Sequence, residues 1–538
     1  MLKAARNGGR EVVGMAVSRR HFFYGTLLAG AVPAGGFGST PSLPRLGYKS
    51  FNEKLNIAVI GAGSRATQIV PGAAVTENIV ALCDVNQVKA ARMYEMYPKA
   101  ARHVDFRKML DAEDKHIDAV MVATPDHMHT PASLLAMQHG KHVYCEKPLT
   151  RTPWEARLLA QAAAKYKVAT QMGNQGFSHE GTKTACEILW SGDIGDVTEL
   201  YAWTTQSMGG GRGIPPDGLE KQPVPDTLNW ELFLGPAADR DFNAMMLSWR
   251  SFIDFSAGGS LGDWLVHSMG PAHLALRLDQ APPTSVECVS ITGKHNLQWP
   301  VSYHLVYQFP ARGNMPPLTI HAYGAMRGEE FKNPPGMAEN ERLLPPMGNL
   351  AADKYRQFVG SPADGMGLVG ESLGVDGKPV PRAPAAPRAT APGGGRGGAP
   401  RAGAPGADPA SAPIGGRAPG NGSVFVGSKG YMATTDRGEG VWLLPASRWA
   451  EYRLPPQLLT RGINHQQDWI RACKGGTPGV SEFAVTTRYI EWLTLGAAAL
   501  RVPNVKLLWD PKNLRFSNNE EASRYLRPFI RKGWEMKI

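Results

Sequence analysis

From Leu55 onward the chain alternates short apolar runs with longer stretches of helical period. The runs LNIAVIGAG, NIVALCDVN, IDAVMVATPDH, HVYCEKP and VATQMGNQG are each closed by glycine, proline or a polar residue. Between them, PASLLAMQHG has helical apolar spacing and a glycine stop. TPWEARLLAQAAAKYK reads as a strong helix, with Thr152 as N-cap, Pro153 at the first position and Glu155 at the third. Runs of about four to eight apolar residues separated by helices predict βαβ units around a parallel sheet. This organisation is expected over residues 51–175.

Beyond about residue 175 the period changes. DVTELYAWTT, SVECVSITG, VSYHLVYQF and LTIHAYG are strand-like, with few helices between them. They predict a second, α+β domain with a largely antiparallel sheet, over residues 176–375 and 423–538. Residues 376–422 are rich in Pro, Ala and Gly with scattered Arg, cannot bury a core, and are expected to be a disordered insertion. SVFVGSKGYMATT then resumes as a strand. Helical patterns return in NHQQDWIRACKGG and TTRYIEWLTLGAAALRV, and the tail ending FIRKGWEMKI is expected to pack back along the surface.

Composition narrows this little: 538 residues, 43% apolar and 20% charged, fit a globular protein of two domains. The net charge of +11 comes from scattered basic residues, with no compact block of the kind nucleic-acid binding needs. Five widely spaced cysteines, without a C-x-x-C, argue against a disulfide framework or a zinc site. Residues 1–50 read as a signal and its following tail. Ser18, Arg19, Arg20 and Phe22 precede a mild, glycine-containing apolar run, the layout of a twin-arginine export signal. The expected location is therefore periplasmic or otherwise exported, with the twin-arginine machinery as a partner and Met15 an alternative start.

Three stretches carry chemistry. In VIGAGSRA, Gly61, Ala62, Gly63, Ser64, Arg65 and Ala66 form a G-x-G-x-x-A turn between a strand and a helix. Such a turn brings backbone N–H groups to a pyrophosphate at the helix N-terminus, the signature of a dinucleotide-binding Rossmann domain. Asp84 ends the next strand, where an acid binds a ribose 2′-hydroxyl and repels a 2′-phosphate, so NAD is favoured over NADP. Arg65 could itself reach a phosphate. In HVYCEKPLT, Glu146 and Lys147 stand at a strand end before Pro148, which holds Lys147 extended. In SLGDWLVHSMGP, Asp263 and His267 are four apart and share a helix face, so the carboxylate could orient the imidazole. The alternative is an ordinary surface pair. A histidine so held takes a proton from an alcohol, and Lys147 stabilises the developing alkoxide. His127 and His129 in PDHMHT have H-x-H spacing but no compact carboxylate or cysteine partner, so no metal is expected.

The set VIGAGSRA, ALCDV, ATPDHMH, CEKPLT, GNQG and GGSLGDWLVH resembles the Gfo/Idh/MocA oxidoreductases, from about Leu55 onward apart from the insertion. The resemblance implies an NAD-binding Rossmann domain and a second domain with a large open sheet facing the nicotinamide. It implies that Lys147, Asp263 and His267 are catalytic. It also implies that Gly61, Gly63, Asp84, Thr124, Pro125, His129, Glu146 and Lys147 line the cofactor. The sequence departs from the family at Ala66, where a third glycine is usual, and in its insertion. The implied activity is oxidation of a secondary hydroxyl of a sugar, glycoside or cyclitol; export as a folded protein to a space with little free NAD would require the cofactor to be retained and recycled in place. A glycosidase working by oxidation, elimination, hydration and reduction is the alternative. A sugar-binding protein on a dehydrogenase scaffold is a third, and homo-oligomerisation stays open.

Overall fold

The computed structural model describes residues 49, 53–215, 218–325, 333–338, 341–345, 372–373, 379–380, 420–461 and 464–538. The expected export signal, and all of 376–422 except 379–380 and 420–422, lie outside these residues.

The first sheet contains β1 (Asn56–Ile60), β2 (Asn78–Cys83), β3 (Ala101–His103), β4 (Ala119–Val122), β5 (His142–Glu146) and β6 (Thr170–Gly173). All pairs are parallel, in the order β3-β2-β1-β4-β5-β6. β4, β5 and β6 are buried at every position, because helices cover both faces, which is why they read as continuous apolar runs. The register aligns Ile60 with Cys83 and Val122, Val122 with Cys145, and Glu146 with Gly173. The loops that follow the strands therefore share one sheet edge, the usual ligand edge of this architecture. Thr152 caps helix Pro153–Tyr166 by accepting from the Glu155 N–H, as its sequence predicts.

Among the described residues the second sheet has nine strands. They are β7 (Val197–Thr204), β8 (Ser285–Thr292), β9 (Ser302–Phe309), β10 (Leu318–Gly324), β13 (Gly422–Gly427), β14 (Gly430–Thr435), β15 (Val441–Leu444), β16 (Lys506–Asp510) and β17 (Arg515–Phe516). The short strands β11 (Ser372–Leu373) and β12 (Pro379–Val380) pair with each other alone. The order is β15-β14-β13-β7-β10-β9-β8-β16-β17, antiparallel except for the β7–β10 pair. Burial alternates strictly along β9 and β10, so one face is covered and the other open. Helix Phe483–Arg501 covers the inner face, where the Tyr307 hydroxyl donates to the Leu493 carbonyl at 2.9 Å. The same helix joins the domains, since Glu491 takes both Nε (3.0 Å) and Nη2 (2.6 Å) of Arg157 on helix Pro153–Tyr166.

Three expectations change. SVFVGSKGYMATT is a hairpin, β13 and β14, turning at Ser428 and Lys429. Helix His465–Cys473 buries Trp469, Ile470 and Cys473 in the core of the first sheet, although its sequence lies in the second domain's share of the chain. The tail is more than a surface strap: Arg531, Trp534 and Met536 are buried. All five cysteines are buried free thiols.

Candidate active site

The ligand edge of the first sheet faces the second domain across a cavity of about 590 Å³. At its floor the Gly61 N–H donates to the Cys83 carbonyl at 2.8 Å, and Gly61 has φ +85°. A Cβ on Gly61 would lie 2.7 Å from the Ala123 carbonyl carbon, so only glycine lets β1 turn against the loop after β4. Helix Ala66–Ala74 follows, and Arg65 at its N-cap supplies no side-chain acceptor; the Thr67 and Gln68 N–H groups donate to the Gly63 and Arg65 carbonyls at 3.4 and 3.0 Å, and the helix dipole still favours an anion at this end. Asp84 stands opposite: a Cβ on Gly63 would be 3.6 Å from its Oδ2. Burial raises the Asp84 carboxyl to about 6, against the Asn86 N–H that bonds Oδ1 at 2.8 Å. Thr124 Oγ1 and Trp264 Nε1 are buried without a partner among the described residues, and both residues line the cavity. A glycine cradle, a helix N-terminus without a side-chain cap, a half-buried acid and orphaned polar atoms fit a dinucleotide.

Gly61, Gly63, Ser64, Arg65, Asp84, Thr124, Pro125, Glu146, Lys147, Asp263 and His267 all line this cavity. Ala62 and His129 do not. Ala62 is fully buried in the core behind the glycine loop. The His129 ring lies beneath the wall, with Nδ1 2.8 Å from the Pro148 carbonyl and Nε2 3.0 Å from the Thr124 carbonyl. It thereby bridges the loops after β4 and β5. His127 diverges from it and bonds the Phe233 carbonyl through Nε2 at 2.7 Å. Arg65 turns to Glu146, with Nε 3.0 Å from Oε2 and Nη2 3.2 Å from Oε1. Glu146, buried and also reached by Tyr144 and Gln175, thus anchors an arginine in the glycine loop.

The expected Asp263–His267 pair is replaced by two others. Residues Leu261–Leu265 form a π-helix before the turn Val266–Ser268, and its i→i+5 bonding widens the spiral, so residues four apart no longer superpose. Asp263 instead takes Lys147. The ammonium donates to both the Asp263 backbone carbonyl and Oδ1, each at 2.8 Å, and Arg250 Nε reaches Oδ1 at 3.0 Å. Burial pushes the Asp263 carboxyl upward, but Lys147 and Arg250 outweigh it and hold it below the ordinary range. His267 pairs with Asn174, its Nδ1 3.0 Å from Oδ1. Asn174 Nδ2 donates to the Val266 carbonyl at 2.8 Å, which fixes the amide so that its oxygen faces the imidazole. Nδ1 must then carry the proton, and Nε2 keeps its lone pair. Burial, reinforced by Lys147 and Arg437, holds His267 well below its ordinary pKa, so the ring is neutral near pH 7.

Residues 55–174 match the model for the oxidoreductase family's NAD-binding Rossmann fold, and residues 201–302 match its C-terminal alpha/beta domain. Over these two segments the chain is similar to the Gfo/Idh/MocA oxidoreductase family. It is 32% identical over 158 residues to D-glucoside 3-dehydrogenase of Escherichia coli, covering 29% of this chain and 43% of that protein. It is 33% identical over 166 residues to inositol 2-dehydrogenase of Klebsiella pneumoniae, covering 29% and 47%. It is 30% identical over 145 residues to a glycosyl hydrolase family 109 protein of Solibacter usitatus, covering 24% and 32%. The chain thus spans less than half the length of these curated relatives. The first matched segment is that of an NAD-binding Rossmann fold of an oxidoreductase family. Asn174 and Arg250 carried no role in the sequence pattern. Asn174 follows the last Rossmann strand, where a polar residue after GNQG's glycine was the only cue.

Proposed function

We propose that this protein oxidises a secondary hydroxyl of a sugar, glycoside or cyclitol, with Lys147 and His267 acting on the reacting oxygen. What carries the proposal is the Asn174-fixed tautomer of a buried neutral His267 lining the same cavity as the Asp263-held Lys147. Bound NAD supplies a hydride acceptor. His267 Nε2 takes the hydroxyl proton as the carbon gives up its hydride and the C–O bond becomes a ketone. The Lys147 ammonium has a third N–H beyond the two that Asp263 occupies, and aims it at oxygen as negative charge develops. Arg250 shares the Asp263 charge and fixes its direction. The glucoside and inositol dehydrogenase relatives support a polyol substrate.

The Arg19–Arg20 segment supports export as a folded protein, with the cofactor loaded beforehand and returned to its starting state in place. The glycosyl hydrolase relative supports a second outcome at the same site, in which ketone formation acidifies the neighbouring C–H, the aglycone leaves, water adds and the ketone is reduced again. Denaturing extraction of the purified protein followed by an aryl-glycoside assay separates the two. Bound NAD with reduction by substrate and no aglycone release supports the dehydrogenase. Aglycone release without added NAD supports the glycosidase. An extract without nucleotide, from a protein that also fails to bind added NAD, refutes both.

A further inference from the structure

One wall of the cavity joins the matched Rossmann segment to the tail, which neither matched family segment reaches. Phe106, which follows β3, and Trp534 from the tail both line the cavity beside Asp84 and Asp105. Their ring centroids are 6.1 Å apart at 45°, and the Arg107 guanidinium lies 4.3 Å from the centre of the Trp534 ring. Arg107 is itself held by Asp105, at 3.0 Å through Nε and 2.7 Å through Nη2. Asp105 also caps helix Phe106–Glu113. Trp534 is only 8% exposed, yet it stands in the wall of an open cavity.

The tail is tied down at several points. Arg531 Nε donates to the Gly235 carbonyl at 2.9 Å, its Nη2 to the Glu231 carbonyl at 3.0 Å, and its Nη1 meets Glu231 Oε2 and Asp239 Oδ1 at 2.7 and 2.5 Å. Gln138 Nε2 donates to the Lys537 carbonyl at 2.7 Å. The segment that Arg531 grips is in turn fastened to the loop after β2. The Gln87 N–H donates to the Thr227 carbonyl at 2.9 Å, and the Asn229 N–H to the Val85 carbonyl at 2.8 Å. That segment also brings Leu232 and Phe233 to the cavity lining.

In a Rossmann domain the acid after β2 marks the ribose of the adenosine half, and the pyrophosphate lies at the glycine loop. The end beyond Asp84, toward β3, is therefore the adenosine end. We infer that Trp534 is a cofactor-binding residue: with Phe106 it forms an aromatic wall for the adenosine half of NAD, and the Arg531 anchor makes the tail a clasp that slows cofactor release. The inference rests on NAD being the ligand. It gives a physical basis for a cofactor kept through turnover, because the nucleotide leaves only after the tail and the 227–239 segment part from the β2 and β3 loops.

The test is NADH release from the loaded protein, followed by nicotinamide fluorescence with excess unlabelled NAD as trap. Loss of base–aromatic stacking predicts roughly 5- to 100-fold faster release for Trp534→Ala, with Trp534→Phe within about threefold of the unmodified protein. Release at the original rate from Trp534→Ala, or equal acceleration in both variants, overturns the inference. Hydrogen exchange of the unmodified protein supplies a readout independent of those variants. Backbone amides of residues 531–536 should exchange more slowly with NAD bound than without it, and unchanged exchange overturns the clasp. If the unmodified protein binds no NAD at all, it is the cofactor assignment that fails.

Discussion

The structure divides four polar residues into two pairs, Lys147–Asp263 and His267–Asn174, and a double-mutant cycle reads that division directly. At 2.8 Å and an effective dielectric of ~20, the Lys147–Asp263 attraction is about 6 kcal/mol before desolvation. Both side chains are largely out of water, at 11% and 15% exposure, and Arg250 shares the carboxylate, so roughly 2–3 kcal/mol should survive as coupling between the two positions. Asp263→Asn and Lys147→Ala should therefore be strongly non-additive in single-turnover hydride transfer, with the double variant about 30- to 150-fold faster than the product of the single effects implies. Asp263→Asn and His267→Ala share no hydrogen bond and should combine within about a factor of two to three. The assay is nicotinamide absorbance on protein with its cofactor bound, using a methyl glucoside or myo-inositol. Strong coupling of 263 to 267, with none to 147, would refute the π-helix account and restore an Asp–His pair.

Other consequences are open to measurement. Asn174→Leu frees the His267 tautomer while keeping the branched heavy-atom outline of the side chain, and should lower turnover roughly 10²-fold or more with NAD affinity unchanged; unaltered turnover removes Asn174 from the mechanism. Gly61→Ala forces a left-handed φ and a backbone clash, so it should cost at least ~1–2 kcal/mol in denaturant unfolding and abolish NAD binding, whereas normal binding would show that the turn adapts. Acid should destabilise the protein early. His127, His129, His142, His273 and His465 are buried, with burial pulling their pKa values to about 3 or 4, and His267 lies well below its ordinary value. The unfolded chain thus binds more protons below pH ~6.5. Each such histidine then removes up to about 1.4 kcal/mol per pH unit as pH falls toward its folded value. Asp84 and Asp126, raised by burial to about 6 and about 7, act in the opposite sense but are outnumbered. A denaturation midpoint flat from pH 7 to 5 would contradict this. Lysine at both positions 19 and 20 should keep the protein in the cytoplasm, and unchanged export in fractionation would mean that the segment is not read as a twin arginine.

The parallel sheet was legible because strands buried on both faces leave unbroken apolar runs, and Gly61, Gly63 and Asp84 sit at positions fixed by that sheet. Lys147 was legible for the same reason, as a charged residue at the end of such a run. The partners of Asp263 and His267 were not. Spacing assumes an α-helix, and nothing in SLGDWLVH announces the π-turn that rotates the two apart. Asn174 and Trp534 reach the site only through tertiary contacts, across 93 residues to His267 in one case and through the Arg531 anchor in the other. The placement of helix His465–Cys473 in the Rossmann core is of the same kind, since its apolar face fits either domain until Trp469 is seen against Tyr144, 5.7 Å between centroids.

As proposed, the chain moves a hydride from a sugar or cyclitol carbon while His267 and Lys147 act on its oxygen. The decisive experiment incubates the purified, cofactor-loaded protein with glucosides and inositols deuterated at the carbinol carbons and analyses the extracted nucleotide by mass spectrometry. Deuterium should appear in the nicotinamide of the unmodified protein and be lost or greatly reduced in Lys147→Ala and His267→Ala, both of which should still carry NAD. Absence of label from every polyol tried, or undiminished label in both variants, would contradict the account.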